Sequence, residues 1–472
     1  MKFHAPPLRA ACALPIAVAA LLAWVGAASA EVLGIDFVDS PAKGAALNAR
    51  GDVVGTVSTW PCGDPHACAP TTTAVVWRAE GRLALPGLGA LKPAPAAVTP
   101  DGLVVGTVTD NVSVPRAVIW RFTAGSYQAI DLGLLPGTTS ASAVGVDASG
   151  RVVGTATSPA GARPFYWTAA TGLVDLASLG FPAESVLAVS PAGRVATAAH
   201  TYRLDDPASV RGFAAPPKGY APPYGYSMRV NDAGDVATFL ATTTSDPLFY
   251  LHRYHAADGR WQLLSSSPNG NLSRWNVGGI DNDRGVTATV TSVGVVADGP
   301  DGVATALAGR LSAAYGAVSV DDAGMRLAGS GTLALTTIGR SPRLVRLVPL
   351  APCSGYCLRV ATLQMTGVFV NDPKAPGSCT PAAANKVTAT LTVTDADGNP
   401  VAGARVNARF LDDYALNTAV SGKTNSRGKL VLRHRGPACV GAVALLVDGV
   451  THPAGTLDRS VGVLTQYVIP LP

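Results

Sequence analysis

The strongest constraint in this chain is a phrase that keeps returning, because a fixed period forces one supersecondary unit to be built again and again. ALNARGDVVGTV (46–57) is followed by TTAVVWRAEGRLALPGLG (72–89). AAVTPDGLVVGTV (96–108) is followed by PRAVIWRFTAGSYQAIDLGLLPG (115–137), and AVGVDASGRVVGTA (143–156) by RPFYWTAATGLVDLASLG (163–180). Weaker copies begin at residues 186, 228, 278 and 317. In the first of them GFAAPP (212–217) stands where the tryptophan strand is expected. The turn glycines are Gly51, Gly102, Gly150, Gly193, Gly234, Gly285 and Gly324, spaced 39 to 51 residues apart.

That spacing suits a four-stranded β unit. Asn48-Ala49-Arg50-Gly51 and Asp147-Ala148-Ser149-Gly150 are turn formers ahead of a glycine that can take positive φ. Val53-Val54, Val104-Val105 and Val152-Val153 are β-branched and suit strands. Trp77, Trp120 and Trp167 recur at one register and are read as core between neighbouring sheets. Composition agrees: only Glu31, Glu80 and Glu184 are glutamates, whereas Gly numbers 51 and Pro 36. A chain this poor in a good helix former and this rich in turn formers is not helical. The expected fold is all-β: a β-propeller of seven blades over residues 31–350, six or eight being the alternatives. Gly34–Val38 is expected to close the ring beside Leu344–Val348, leaving no open sheet edge.

The pattern turn-Gly-x-Val-Val-Gly, Ala-Val-x-Trp, Asp-Leu-Gly-x-Leu resembles the HAF family of extracellular bacterial repeat proteins. The match is good over 45–180 and thin over 181–350, and the family's name triplet is replaced by Ala74-Val75-Val76, Ala117-Val118-Ile119 and Pro164-Phe165-Tyr166. The resemblance brings no catalytic residues with it. After Leu350 the texture changes. Residues 351–385 read as a cysteine-bearing linker and 386–472 as a β-sandwich. In 386–394, Val387, Ala389, Leu391 and Val393 alternate with threonines, the mark of a half-buried strand. TDADGNPVAGA followed by KTNSRGKL is similar to bacterial Ig-like and carboxypeptidase-regulatory-like modules, which implies a spacer, stabiliser or adhesion unit. Asp395, Asp397 and Asn399 could ligate Ca²⁺, but position 12 of such a loop would be Val406, and a plain turn is the better reading.

Residues 1–30 read as a signal peptide: Lys2 and Arg9, an apolar run from Ala10 to Val25, then Ala28-Ser29-Ala30 with cleavage before Glu31. The expected location is therefore outside the cytoplasm, periplasmic or extracellular. Six cysteines would remain, an even number that suits disulfides in an exported chain. Cys62 and Cys68 are expected to pair. Among Cys353, Cys357, Cys379 and Cys439 three connectivities are open, Cys353–Cys357 with Cys379–Cys439 being preferred. Cys62, His66 and Cys68 lack a nearby fourth ligand for zinc, so no metal and no cofactor is expected.

Removing the signal leaves 34 Lys and Arg against 31 acids, with no basic run of five, which is no footprint for nucleic acid. No later stretch is apolar enough to span a membrane. Nucleophile elbows, His-Glu-x-x-His and phosphate loops are absent from the sequence, and no catalytic residue is assigned. Asp147, Asp232, Asp281 and Asp321 sit in repeat turns and read as turn formers. His252 and His255, an odd offset apart on a strand, point to opposite faces. Two aromatic patches are the candidate ligand contacts: Tyr220, Tyr224 and Tyr226 on a proline-stiffened loop, and Tyr250, His252 and Tyr254. The function expected is non-enzymatic binding, adhesion or cell-envelope interaction with a protein or glycan. The alternatives are a propeller polysaccharide hydrolase or lyase and a structural surface or matrix protein.

Overall fold

The computed structural model describes residues 31–59, 69–89, 92–109, 114–223, 227–265, 276–316, 318–327, 331–338, 341–368, 384–412, 417–437 and 442–469. No helix among them is long and apolar enough to cross a membrane. Seven four-stranded antiparallel sheets follow one another, then one eight-stranded sheet. The seven are the blades of a propeller, numbered here from blade 1, which begins at Ala42, to blade 7, which begins at Val318. The first strand of each blade touches the first strand of the next, and that of blade 7 touches that of blade 1, so these strands encircle the central axis.

The Val-Val pair is explained by where its strand lies. The second strand of a blade is covered on both faces, so consecutive side chains enter opposite gaps and both must be apolar. Val53 packs between blades 7 and 1, Val54 between blades 1 and 2. Val104 joins Val54 between blades 1 and 2 and Val105 packs between blades 2 and 3, where Val152 joins it, while Val153 packs between blades 3 and 4. The glycine that follows has a separate cause. The first strand carries a bulge at Gly44/Ala46, Pro95/Ala97 and Ala143/Gly145. The bulge drives a carbonyl toward the second strand. A Cβ on Gly55, Gly106 or Gly154 would lie 2.0, 2.3 or 2.1 Å from the backbone oxygen of Lys43, Ala94 or Ser142.

The tryptophans fill the gaps. Trp120 is fully buried and donates its indole N–H to the Pro86 carbonyl at 2.7 Å. Trp77, opposite Val53, donates to Asp39 at 2.8 Å. The same register in blade 4 belongs to Tyr202, opposite Val195, and in blade 5 to Tyr254, opposite Val236. The third strand of blade 4 is thus His200–Arg203, and GFAAPP starts on the last residue of the outer strand, Asp206–Gly212, and runs past it, contrary to the sequence reading.

Two of the seven turn assignments are also corrected. Gly51, Gly102, Gly150, Gly193 and Gly234 hold positive φ as expected. In blade 6 Arg284, at φ 66°, takes that position instead of Gly285. Gly324 lies within the first strand of blade 7, Val318–Leu327, where two register shifts lengthen the strand past the position of the other turns.

Closure is as the sequence predicts. Leu33–Asp39 is the outermost strand of blade 7, antiparallel to Ser341–Pro349, with Ile35 opposite Leu347 and Phe37 opposite Val345. The last sheet folds over into a nearly closed sandwich. One layer is Lys429–Pro437, Ala384–Asp395 and Cys357–Val368. The other is Asn417–Lys423, Arg405–Asp412, Val443–His452 and Thr465–Val468, with Gly455–Leu457 joining the two. Val387, Ala389, Leu391 and Val393 are all buried inside. The stretch read as a linker therefore contributes a twelve-residue strand to this sheet. Cys353 and Cys357 form a disulfide at its start. Cys62, Cys68, Cys379 and Cys439 lie outside the described residues, as does the stretch read as a signal peptide. From Val32 onward the chain is one compact unit, and the apolar cluster of blade 7 continues into the sandwich through Leu33, Ile35, Leu358 and Leu464.

Candidate functional site

In blades 1 to 6 the turn between first and second strands is closed by its leading side chain. Asn48 accepts from the backbone N–H of Arg50 and Asp52 and donates to the Thr99 carbonyl of the next turn. Of the four aspartates read as turn formers, Asp147 and Asp281 play the same part, Asp232 bonds neighbouring turns, and Asp321 lies in a strand instead of a turn, contrary to the sequence reading. Asp147 accepts from Ser149 and Arg151 N–H, each at 2.9 Å, and pairs with the Arg151 guanidinium at 2.6 Å. Asp232 accepts from Ala192 N–H and Asn282, tying neighbouring turns together, and Asp281 accepts from Gly285 N–H at 2.6 Å. Asp321, on the inner strand of blade 7, accepts from Ser319 and Thr337. The inner strands of blades 1 and 3, Ala42–Leu47 and Ser140–Val146, are mostly small residues apart from Lys43, while that of blade 2 carries Lys92 and that of blade 5 Arg229. No group of three His, Cys, Asp or Glu that could hold a metal occurs among the described residues. In the sandwich, Asp395 closes its own turn on Asp397 and Asn399, and the Asn399 amide holds its carboxyl below the usual range.

The aromatic residues divide into two groups. Tyr220 meets Tyr250 edge-on at 5.7 Å and His252 at 4.8 Å, so the proline-rich loop and the third strand of blade 5 come together. His252 is 1% exposed beneath them, hydrogen-bonded through Nδ1 to the Tyr250 carbonyl, and burial pushes its pKa down. His255 bonds Gln262 on the other face, so the two histidines are apart as expected. Tyr254 belongs to the gap between blades 4 and 5, packed on Phe213 and Trp261 at 5.0 and 4.9 Å. Tyr224 and Tyr226 lie outside the described residues.

The turn face carries a feature that the sequence reading missed. Arginines of one blade lie over the turn glycine of the next. A Cβ on Gly51 would strike Arg346, one on Gly102 would strike Arg78, and one on Gly193 would strike Arg151. The glycines thus serve φ and also make room for guanidinium groups. Around Gly102 the arrangement opens into a cavity of about 440 Å³ lined by Arg50, Arg78, Arg121, Asp101 and Phe122. Arg78 lies 4.4 Å over the Phe122 ring and donates to the Tyr127 hydroxyl at 2.5 Å, which donates in turn to the Gly102 carbonyl. Burial raises the Tyr127 phenol above its usual pKa, keeping it a neutral donor. An adjoining cleft of about 590 Å³ shares Arg50 and Arg78 and adds Arg82, Arg346 and Arg409 with Asp36 and Asp39. A faint signal was present in the sequence: Trp-Arg recurs at 77–78 and 120–121.

No family model and no curated protein matches the chain. Among solved structures, an exo-β-1,3-galactanase from Phanerochaete chrysosporium, solved with galactose, is 11% identical, with 86% of this chain and 94% of that one covered at a TM-score of 0.23. A glycoside hydrolase is 9% identical, with 91% and 96% covered at a TM-score of 0.26. At scores this low the superpositions carry no argument, and the fold rests on the strand pairing.

Proposed function

We propose that this is an exported, non-catalytic binding protein, a propeller that presents its rim to a glycan or protein and carries an Ig-like module at its end. One observation supports this above others: Asp147, Asp232, Asp281 and Asp321 are each held by hydrogen bonds of their own or the adjoining turn or strand. A glycosidase needs two carboxyls facing one substrate at a set separation, free to exchange protons. Carboxylates held in this way, Asp147 and Asp281 within their own turns, Asp232 between turns and Asp321 on a strand, do not meet that need. Tyr220 and Tyr250, half-buried over His252, offer apolar faces with polar tips, the kind of surface that contacts sugars and proteins alike. The HAF-like repeat, the signal peptide and the even cysteine count favour a place outside the cytoplasm.

The test uses the purified full chain without its first 30 residues on a glycan array and on whole bacterial cells, beside a reducing-end assay on a polysaccharide panel. Saturable binding without chain cleavage is expected. Failure to bind any glycan, matrix or cell-surface component would sink the reading, and so would release of reducing ends.

A further inference from the structure

The turn-face groove has a composition that selects its ligand. Six arginines line its two clefts, Arg50, Arg78, Arg82, Arg121, Arg346 and Arg409, against the aspartates 36, 39 and 101. They come from blades 1, 2 and 7 and from the sandwich, so ring closure and module docking assemble them. Four are held in place by acids: Arg50 by Asp52, Arg82 by Asp39, Arg346 by Asp36 and Arg409 by Asp448, at 2.7 to 3.0 Å. Arg78 and Arg121 have no acidic partner among the described residues, and Arg78 keeps a buried Nε that no group accepts from. Arg78 is pinned by Tyr127 and by the Phe122 ring, so it is oriented before any ligand arrives.

We propose that this groove binds an acidic polysaccharide, with uronate carboxylates received by Arg78 and Arg121 and a sugar face set against the 40%-exposed Phe122. The proposal rests on the binding reading above and names its ligand class. Guanidinium groups pair with carboxylates through two parallel hydrogen bonds, which makes arginine the residue suited to such a ligand. Two clefts that share Arg50 and Arg78 suit an extended chain better than a single small anion. Nucleic acid fits less well. Its binding draws on many uncompensated cations along a track, whereas most cations here are already paired.

The test is retention of the full chain by polygalacturonate in native affinity gels. Fully methyl-esterified polygalacturonate serves as the neutral counterpart and single-stranded DNA as the alternative polyanion. Retention by polygalacturonate alone is expected, weakening as salt rises from about 20 to about 200 mM. Arg121→Ser should reduce it about tenfold with an unchanged melting temperature, and Arg78→Gln should weaken retention by a similar factor. Arg203→Ser, on an exposed ion pair of blade 4, should leave it unchanged. Absence of retention at low salt, equal retention by the esterified polymer or by DNA, or insensitivity to Arg121→Ser would each overturn the proposal. If the array or the cells retain the protein while polygalacturonate does not, the groove assignment fails and the binding reading stands. If neither retains it, both fail.

Discussion

At the scale of single residues, a missing methyl group decides how the inner strands can bend. Gly106→Ala would place a carbon 2.3 Å from the Ala94 oxygen, which is backbone and cannot turn aside. Overpacking of this kind costs about 1–3 kcal/mol, and urea unfolding should show a loss in that range. Arg253 is a second such point. It is fully buried and donates to the carbonyls of Arg284, Gly299 and Pro300 and to Gln262, joining blade 5 to blade 6. Those bonds hold Arg284 in its left-handed conformation while its side chain reaches the buried Asp235 at 2.9 Å. Arg253→Met leaves these acceptors without their donor and should cost about 3 kcal/mol in the same assay. Burial holds the His252 and His434 imidazoles below their usual pKa, so the unfolded chain takes up these protons first as pH falls. Their contribution is complete above pH of about 6.5 and is lost as pH drops through the lowered folded values. The melting temperature should therefore fall between about pH 7.5 and 5.5, and His252→Gln with His434→Gln should flatten that slope. Much of this scale was legible. Val-Val-Gly announced a strand, though its burial on both faces and the bulge that demands the glycine show only in the packing and the pairing. Tyr254 was misleading because its neighbours in sequence are polar, while its partners, Phe213 and Trp261, are brought by another strand and another blade.

Among the elements, the strand Leu33–Asp39 does the most and has the least sequence context to identify it. Its alternating apolar residues and the free edge of the last repeat made its place readable. What holds it there did not show in the sequence. The sandwich grips the strand from outside: Arg459 pairs with Asp36 at 2.9 Å and bonds the Ile35 carbonyl and the Tyr315 hydroxyl. Arg409 lies 4.2 Å over the Phe37 ring, and Arg343 of blade 7 donates to both Ser40 and the Asp412 carbonyl. Arg459→Ala removes three of these contacts and should lower stability by about 2 kcal/mol. Limited proteolysis would then cut first within residues 31–41. Equal resistance of variant and parent would show that the blade pairing alone secures the strand. The arginine groove was illegible for a related reason. Its members are scattered from Arg50 to Arg409, and only closure of the ring and docking of the sandwich make them neighbours.

For the whole molecule, the apolar cluster running from blade 7 into the sandwich predicts joint behaviour. Two modules that share a core and a buried arginine lose both when either opens, so calorimetry should record one transition, not two. A chain ending at Leu350 should melt lower than the full protein, and two resolved transitions in the full protein would show the modules to be independent. Ring closure also sets a schedule. Leu33 pairs with Pro349, so the first strand waits for more than three hundred residues before its partner exists. Contacts this distant in sequence make folding slow. A chain threaded out N-terminus first must carry one unmated strand, and each unfinished blade beside it, through the whole of synthesis. Until the last blade emerges, its exposed edges can pair with those of another unfinished copy, and whatever shields them in that interval decides how much protein arrives intact.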